Sequence, residues 1–141
     1  MPTYLLKTEP DDYSWDDLVR DGRTHWDGVT NPTACMVMRD MRTGDEAFIY
    51  HTGKEKRIAG LAKVVSDPYP DPARADLTAK GDIKYPLVDV RKLRPAKRTV
   101  TLADIKADNR FKDFQLVTQS RLSAMLVPTK LDAILRTLCG L

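Results

Sequence analysis

The stretch from His25 to Gly53, HWDGVTNPTACMVMRDMRTGDEAFIYHTG, constrains this chain more than any other. It sets a loop, a helix start and a strand in immediate succession. Trp26 and Gly28 open it. Asn31 then stands at the mouth of a helix whose apolar residues Ala34, Val37, Met38 and Met41 recur at helical spacing. Gly44 reads as the stop, because glycine readily takes the left-handed conformation that ends helices. Glu46 to Thr52 alternates Ala47, Ile49 and His51 on one face with Phe48 and Tyr50 on the other, the two-residue period of a strand. Trp26, Asn31, Tyr50 and His51 are thereby expected to converge. Aromatic faces beside an amide and an imidazole suit a planar ligand with polar edges, such as a nucleobase.

The flanking segments read as short elements. Thr3 to Thr8 is a strand running into a turn at Glu9-Pro10. Ser14, with Asp17 three residues on, caps a helix that ends near Gly22. A helix mouth with free amides is also an anion or carbonyl site, so Ser14 is a ligand candidate as well as a cap. Gly53 to Lys56 makes a polar hairpin tip, and Ile58 to Val65 returns as a strand with Gly60 as a bulge or point of close approach. Asp67 to Pro72 holds three prolines, which lack ladder donors, and reads as a rigid loop. Ala73 to Lys84 is irregular, and Tyr85 to Leu93 alternates as a strand. Thr101 caps a short helix to about Lys106, and Asp108 to Gln119 is open between helix and loop. Arg121 to Val127 reads as a closing strand. Pro128 at a first helical position opens a C-terminal amphipathic helix that stops at Gly140. Four or five strands with short helices between them, and no recurring strand–helix alternation, point to an α+β fold.

With 141 residues the chain is expected to be a single domain, 1–141, with a core of its own. Its net charge of +3 permits nucleic-acid binding without demanding it. Cys35 and Cys139 lack metal-ligand spacing and form no disulfide framework, which favours a reducing compartment. No apolar run approaches a membrane span, and no signal peptide is apparent. A cytoplasmic protein without a membrane partner is expected, with a monomer favoured.

Catalytic constellations are missing. Two histidines, His25 and His51, exclude a multi-histidine metal site. There is no Gly-rich phosphate loop, nucleophile elbow or CxxC pair. The pairs Asp11-Asp12 and Asp16-Asp17 flank a helix start, where acids complement the helix dipole. The expectation is a binding module with no catalytic residues, no metal and no cofactor.

The W-x-G-V-x-N, M-R-x-M-x-x-G-D and Y-H-T elements of the central stretch resemble those of the EVE domain, a member of the PUA-like superfamily. Lys7-Thr8-Glu9-Pro10, Tyr13-Ser14, Tyr69-Pro70-Asp71, Val88-Asp89-Val90 and Arg121-Leu122-Ser123 extend the resemblance, in order, over nearly the whole chain. It implies a PUA-like β pseudo-barrel of about five or six strands with short helices around it. It also implies a pocket that reads a modified base in DNA or RNA. The ligand candidates are then Ser14, Trp26, Asn31, Tyr50, His51, Tyr69, Asp71, Tyr85, Arg121 and Ser123. Neutral imidazole offers His51 one donor and one acceptor against a base edge, and the Asn31 amide matches a donor–acceptor pair. Each has a structural counterpart: Asn31 as helix cap, Trp26 as core, Arg121 as a partner for a nearby acid. Thr30 stands where the family commonly has arginine, Thr52 where serine is usual and Ala124 where valine is usual. Lys54, Lys56 and Arg57 on the hairpin are expected to hold the nucleic-acid backbone, with Arg91, Lys92 and Arg94 as further candidates. The competing readings are a small-molecule, nucleotide-like sensor and a nucleotide-processing enzyme using Asp71 and His51.

Overall fold

The computed structural model describes all 141 residues. Seven strands and five helices make a mixed α+β fold built on one curled sheet. The strands are β1 (Thr3–Thr8), β2 (Arg23–Trp26), β3 (Glu46–His51), β4 (Arg57–Val64), β5 (Tyr69–Pro70), β6 (Pro86–Thr101) and β7 (Ala124–Val127). The helices are α1 (Trp15–Asp21), α2 (Pro32–Asp40), α3 (Leu102–Ala107), α4 (Gln115–Thr118) and α5 (Thr129–Cys139). The sheet order is β2-β6-β4-β3-β1-β7, with β5 paired to the start of β6. Only β1 and β3 run parallel; every other pair is antiparallel. The expected pseudo-barrel of five or six strands is therefore this six-strand path, and β5 is a two-residue addition.

β3 is buried from Ala47 to His51, on both of its faces. One side faces the interior of the curl and the other is covered, so its alternation does not separate core from solvent. A single hydrophobic core runs through the molecule, with Phe48, Leu5, Leu61 and Met38 wholly enclosed. Gly60 marks the tightest packing. The ladder slips there between Ile58 and Gly60, and a Cβ added at Gly60 would lie 2.7 Å from the Trp15 ring. Only a residue without a side chain lets the indole lie flat on β4.

The structure adds β2, places the two-residue β5 within the loop expected at Asp67–Pro72, and extends β6 beyond the expected Tyr85–Leu93 strand. β2 is four residues, RTHW, with little apolar content. β6 continues eight residues past Leu93, through Arg94-Pro95-Ala96-Lys97-Arg98, where charge and proline hide the strand pattern. Proline is tolerated because β6 pairs with β2 only as far as Arg91; beyond it no strand covers that edge. The helix expected to stop at Gly44 ends at Asp40, with Met41 as its C-cap. The Asp108–Gln119 segment resolves into a 3-10 turn at Asn109–Phe111 and the single turn of α4. No helix is long and apolar enough to cross a membrane.

Candidate nucleic-acid interface

The two ends of the sheet path, β2 and β1-β7, leave an unpaired seam. A cavity of about 410 Å³ lies in it, within the size range of small-ligand sites. β1 contributes Lys7 and Thr8, and the following loop Asp12 and Tyr13. β2 contributes Thr24, His25 and Trp26; the turn after it adds Asp27, Gly28 and Val29. Ser123, just before β7, closes the far side. The Trp-x-Gly-Val part of the central stretch is thus the wall of this cavity. Gly28 has φ +76°, and nothing lies within 4 Å of where its Cβ would be, so the turn leaves the mouth open.

The walls are set before any ligand arrives. Trp26 is 6% exposed, most of its indole being anchored in the core. Tyr13 meets it edge-on, with ring centroids 6.3 Å apart and planes at 90°. Such pairs add about 0.5–1.5 kcal/mol beyond area burial. Tyr13 is held at both ends: its hydroxyl donates to Asp21 Oδ2 at 2.9 Å, and its carbonyl accepts from Thr8 Oγ1 at 2.6 Å. Burial pushes its phenol pKa up from the usual value. Lys7 supplies a cation. Its Nζ donates to Ser120 O at 2.9 Å and lies 5.9 Å from the centre of the Tyr50 ring, while burial lowers its pKa. The lining then offers ammonium and hydroxyl donors from Lys7, Thr24 and Ser123, and carboxylate acceptors from Asp12 and Asp27.

The structure does not bring all the sequence candidates together. Trp26 and Ser123 line the cavity. Asn31 caps α2, its Oδ1 accepting from Thr33 and Ala34 N at 2.9 and 3.1 Å. With Arg121 it borders a separate shallow crevice of about 300 Å³. Ser14 caps α1 in a reciprocal box with Asp17. Tyr50 is buried beneath Lys7. His51 is 3% exposed and both ring nitrogens are engaged: Nε2 accepts from Trp15 N at 2.9 Å, so Nδ1 carries the proton and donates to Glu55 Oε1 at 3.0 Å. Tyr69 donates to Asp89 Oδ1, and Asp71 organises its own loop through Ala73 N and Arg74. Tyr85 lies under the Arg74 guanidinium at 4.6 Å and the Lys84 ammonium at 5.5 Å. On the hairpin, Lys54 and Lys56 are exposed, whereas Arg57 is paired to Glu55 at 2.8 Å.

Lys7, Asp12, Tyr13, Thr24 and Asp27 are among the lining residues that were not ligand candidates on sequence. Lys7 and Tyr13 sat inside quoted motifs, but nothing in their spacing placed them opposite β2. That juxtaposition arises from the curl of the sheet.

Residues 3–137 match the model of the EVE domain. The chain belongs to the EVE domain family. Human thymocyte nuclear protein 1 is 35% identical, over 85% of this chain and 66% of its own length. The chicken protein of the same name is 32% identical, with 61% of its length covered. This EVE chain thus spans about two thirds of the length of those curated relatives or less. A structure from Rhodopseudomonas palustris is similar at a TM-score of 0.88 and 37% identity, covering 99% of this chain and 94% of that one. The crystal structure of human THYN1 protein in complex with 5-methylcytosine containing DNA is similar at a TM-score of 0.83 and 30% identity, covering 97% of each chain.

Proposed function

We propose that this EVE domain, acting as one unit over residues 1–141, is a non-catalytic nucleic-acid-binding module that takes a modified nucleobase into the seam cavity. The observation that carries the reading is the fixed Tyr13–Trp26 corner facing Lys7, Asp12, Thr24 and Ser123 across about 410 Å³. One flat wall and a ring of mixed donors and acceptors suit a planar base with a patterned edge. Trp26 and Ser123 are assigned to the ligand together with Tyr13, Lys7, Thr24 and Asp12. Ser14, Asn31, Tyr50 and His51 hold the frame that positions them. The DNA held by the human relative, containing 5-methylcytosine, supports a methylated cytosine as the first base to test. Two buried free thiols support a reducing compartment, in keeping with a cytoplasmic protein.

Magnitudes limit the selectivity. Extruding a base costs a few kcal/mol, and stacking on an aromatic returns about 1–3 kcal/mol. A buried methyl adds about 0.8 kcal/mol, roughly a fourfold preference. Larger discrimination requires polar groups that a wrong base leaves unpaired. Fluorescence anisotropy with matched oligonucleotides carrying cytosine or 5-methylcytosine tests the reading. Tyr13→Ala and Ser123→Ala, each folded by circular dichroism, are expected to bring the preference to unity. Preference retained at the wild-type ratio in both variants places the base elsewhere.

A further inference from the structure

β6 carries five of the chain's lysines and arginines against one acid, Asp89. That excess of four is larger than the net charge of the whole chain, +3, so the remainder is slightly acidic. The molecule's excess of positive over negative charge therefore lies on one strand. Arg91, Lys92, Arg94, Lys97 and Arg98 are all exposed, and none of them has a carboxylate partner. Arg98 has a structural task, donating to the carbonyls of Thr137 and Leu138 at the end of α5. The other four have none of comparable strength. Register makes the crowding worse: Arg91 pairs with Arg23 of β2 on one side and Lys63 of β4 on the other. Like charges directly opposite each other destabilise a sheet. Arg23 is relieved by Asp89, whereas Glu46, opposite Lys63, is taken by Arg136.

Charge on a bare edge also guards against edge-to-edge pairing, and Pro95 serves that end here. Edge protection is met by a proline and a lysine or two; it does not explain four uncompensated cations, one of which, Arg91, is paired with β2 and off the bare edge. Length is the second observation. Arg91 and Pro95 face Lys63 and Gly60 of β4, three residues or about 10 Å apart, because β6 bulges at Leu93, and a second bulge past Pro95 carries Lys97. Trp26 lies three residues along β2 from Arg23, the partner of Arg91, or about 10 Å further on. Cavity and cations thus lie along about 20 Å of the sheet, the rise of roughly six base pairs at 3.4 Å each.

We infer that Arg91, Lys92, Arg94 and Lys97 form a track for the phosphate backbone of a DNA duplex whose extruded base enters the seam cavity. The inference rests on the cavity reading for the base, but not for the charge. Cations fixed on a sheet strand suit a rigid duplex, which keeps its own phosphate spacing. Backbone contacts of this kind supply the affinity that stacking alone leaves near zero.

The test titrates salt against binding of duplexes with and without 5-methylcytosine, and of the matching single strand. In the variant carrying Arg91→Gln, Lys92→Gln, Arg94→Gln and Lys97→Gln, both duplexes should weaken alike. The log–log salt slope should flatten by about 0.9 per lost contact, and the single strand should lose less. The double variant Arg94→Glu with Lys97→Glu keeps the edge charged; it should keep the oligomeric state of the wild type and bind more weakly than Arg94→Gln with Lys97→Gln. That pair carries the test if the quadruple variant does not fold. An unchanged slope, or equal binding by the Glu and Gln pairs, overturns the track. Equal losses for single strand and duplex overturn the duplex assignment. A wild-type protein with no base preference but a track-dependent slope defeats the cavity reading and leaves the track standing.

Discussion

His51 Nε2 accepts the backbone N–H of Trp15 at 2.9 Å, joining the end of β3 to the first turn of α1. That N–H is one of the donors a helix start leaves without an intrahelical partner. The other ring nitrogen donates to Glu55, whose carboxyl is held below its usual range by the His51 hydrogen bond first. His51→Ala is expected to leave a buried donor unsatisfied and to cost about 1–3 kcal/mol in urea unfolding. The folded variant should keep its base preference. Loss of preference at unchanged stability would mean that the ring reads the ligand.

The same corner depends on Gly60. A methyl there would meet the Trp15 ring at 2.7 Å, and that indole is buried in the core with little room to shift. Gly60→Ala should destabilise by about 1–3 kcal/mol, the usual range for overpacking. Its signature should be optical, because Trp15 is one of only two tryptophans. A shifted native emission spectrum is expected; an unchanged spectrum and midpoint would show that the indole slides aside freely.

Asn31 separates capping from reading. Its side-chain oxygen already accepts two backbone N–H groups, and its crevice is not the cavity that Trp26 lines. Asn31→Ala should cost about 0.5–2 kcal/mol of stability and leave the ratio between modified and unmodified oligonucleotide as it was. A ratio that collapses while the melting curve holds would assign Asn31 to the base.

Parts of the site could be read from the chain and parts could not. Caps at Ser14, Asn31 and Thr101 were legible because their bonds reach only two or three residues along the sequence. The Trp26 wall was legible through its glycine turn. Lys7 and Tyr13 were not, since their place opposite β2 depends on how far the sheet curls. The burial of His51 was not legible for a related reason: an imidazole at a strand end looks free until α1 is seen to cover it. The β6 track was split in the sequence by Pro95, a residue that normally argues against a strand and here lies on an edge.

Tyr69 gives a prediction in pH. Its hydroxyl donates to Asp89, which also accepts from Arg23. Burial works to raise the Asp89 carboxyl, but the hydrogen bonds from Tyr69 and Arg23 outweigh it and its pKa lies below the usual value. Burial first, then the bond to Asp89, pushes the Tyr69 phenol up from 10.0 to about 12. A group whose pKa is higher in the folded state contributes stability that is complete below its unfolded pKa, near 10, and fades as pH rises toward 12. Tyr69→Phe removes that proton and its bond. Wild type should therefore exceed the variant by about 1.5–3 kcal/mol near pH 8, the range for a hydrogen bond to a charged group. The gap should close between pH 10 and 12, with the other tyrosines cancelling in the comparison. Urea midpoints of the two proteins across that window decide it, and a gap that stays constant or widens would refute the linkage.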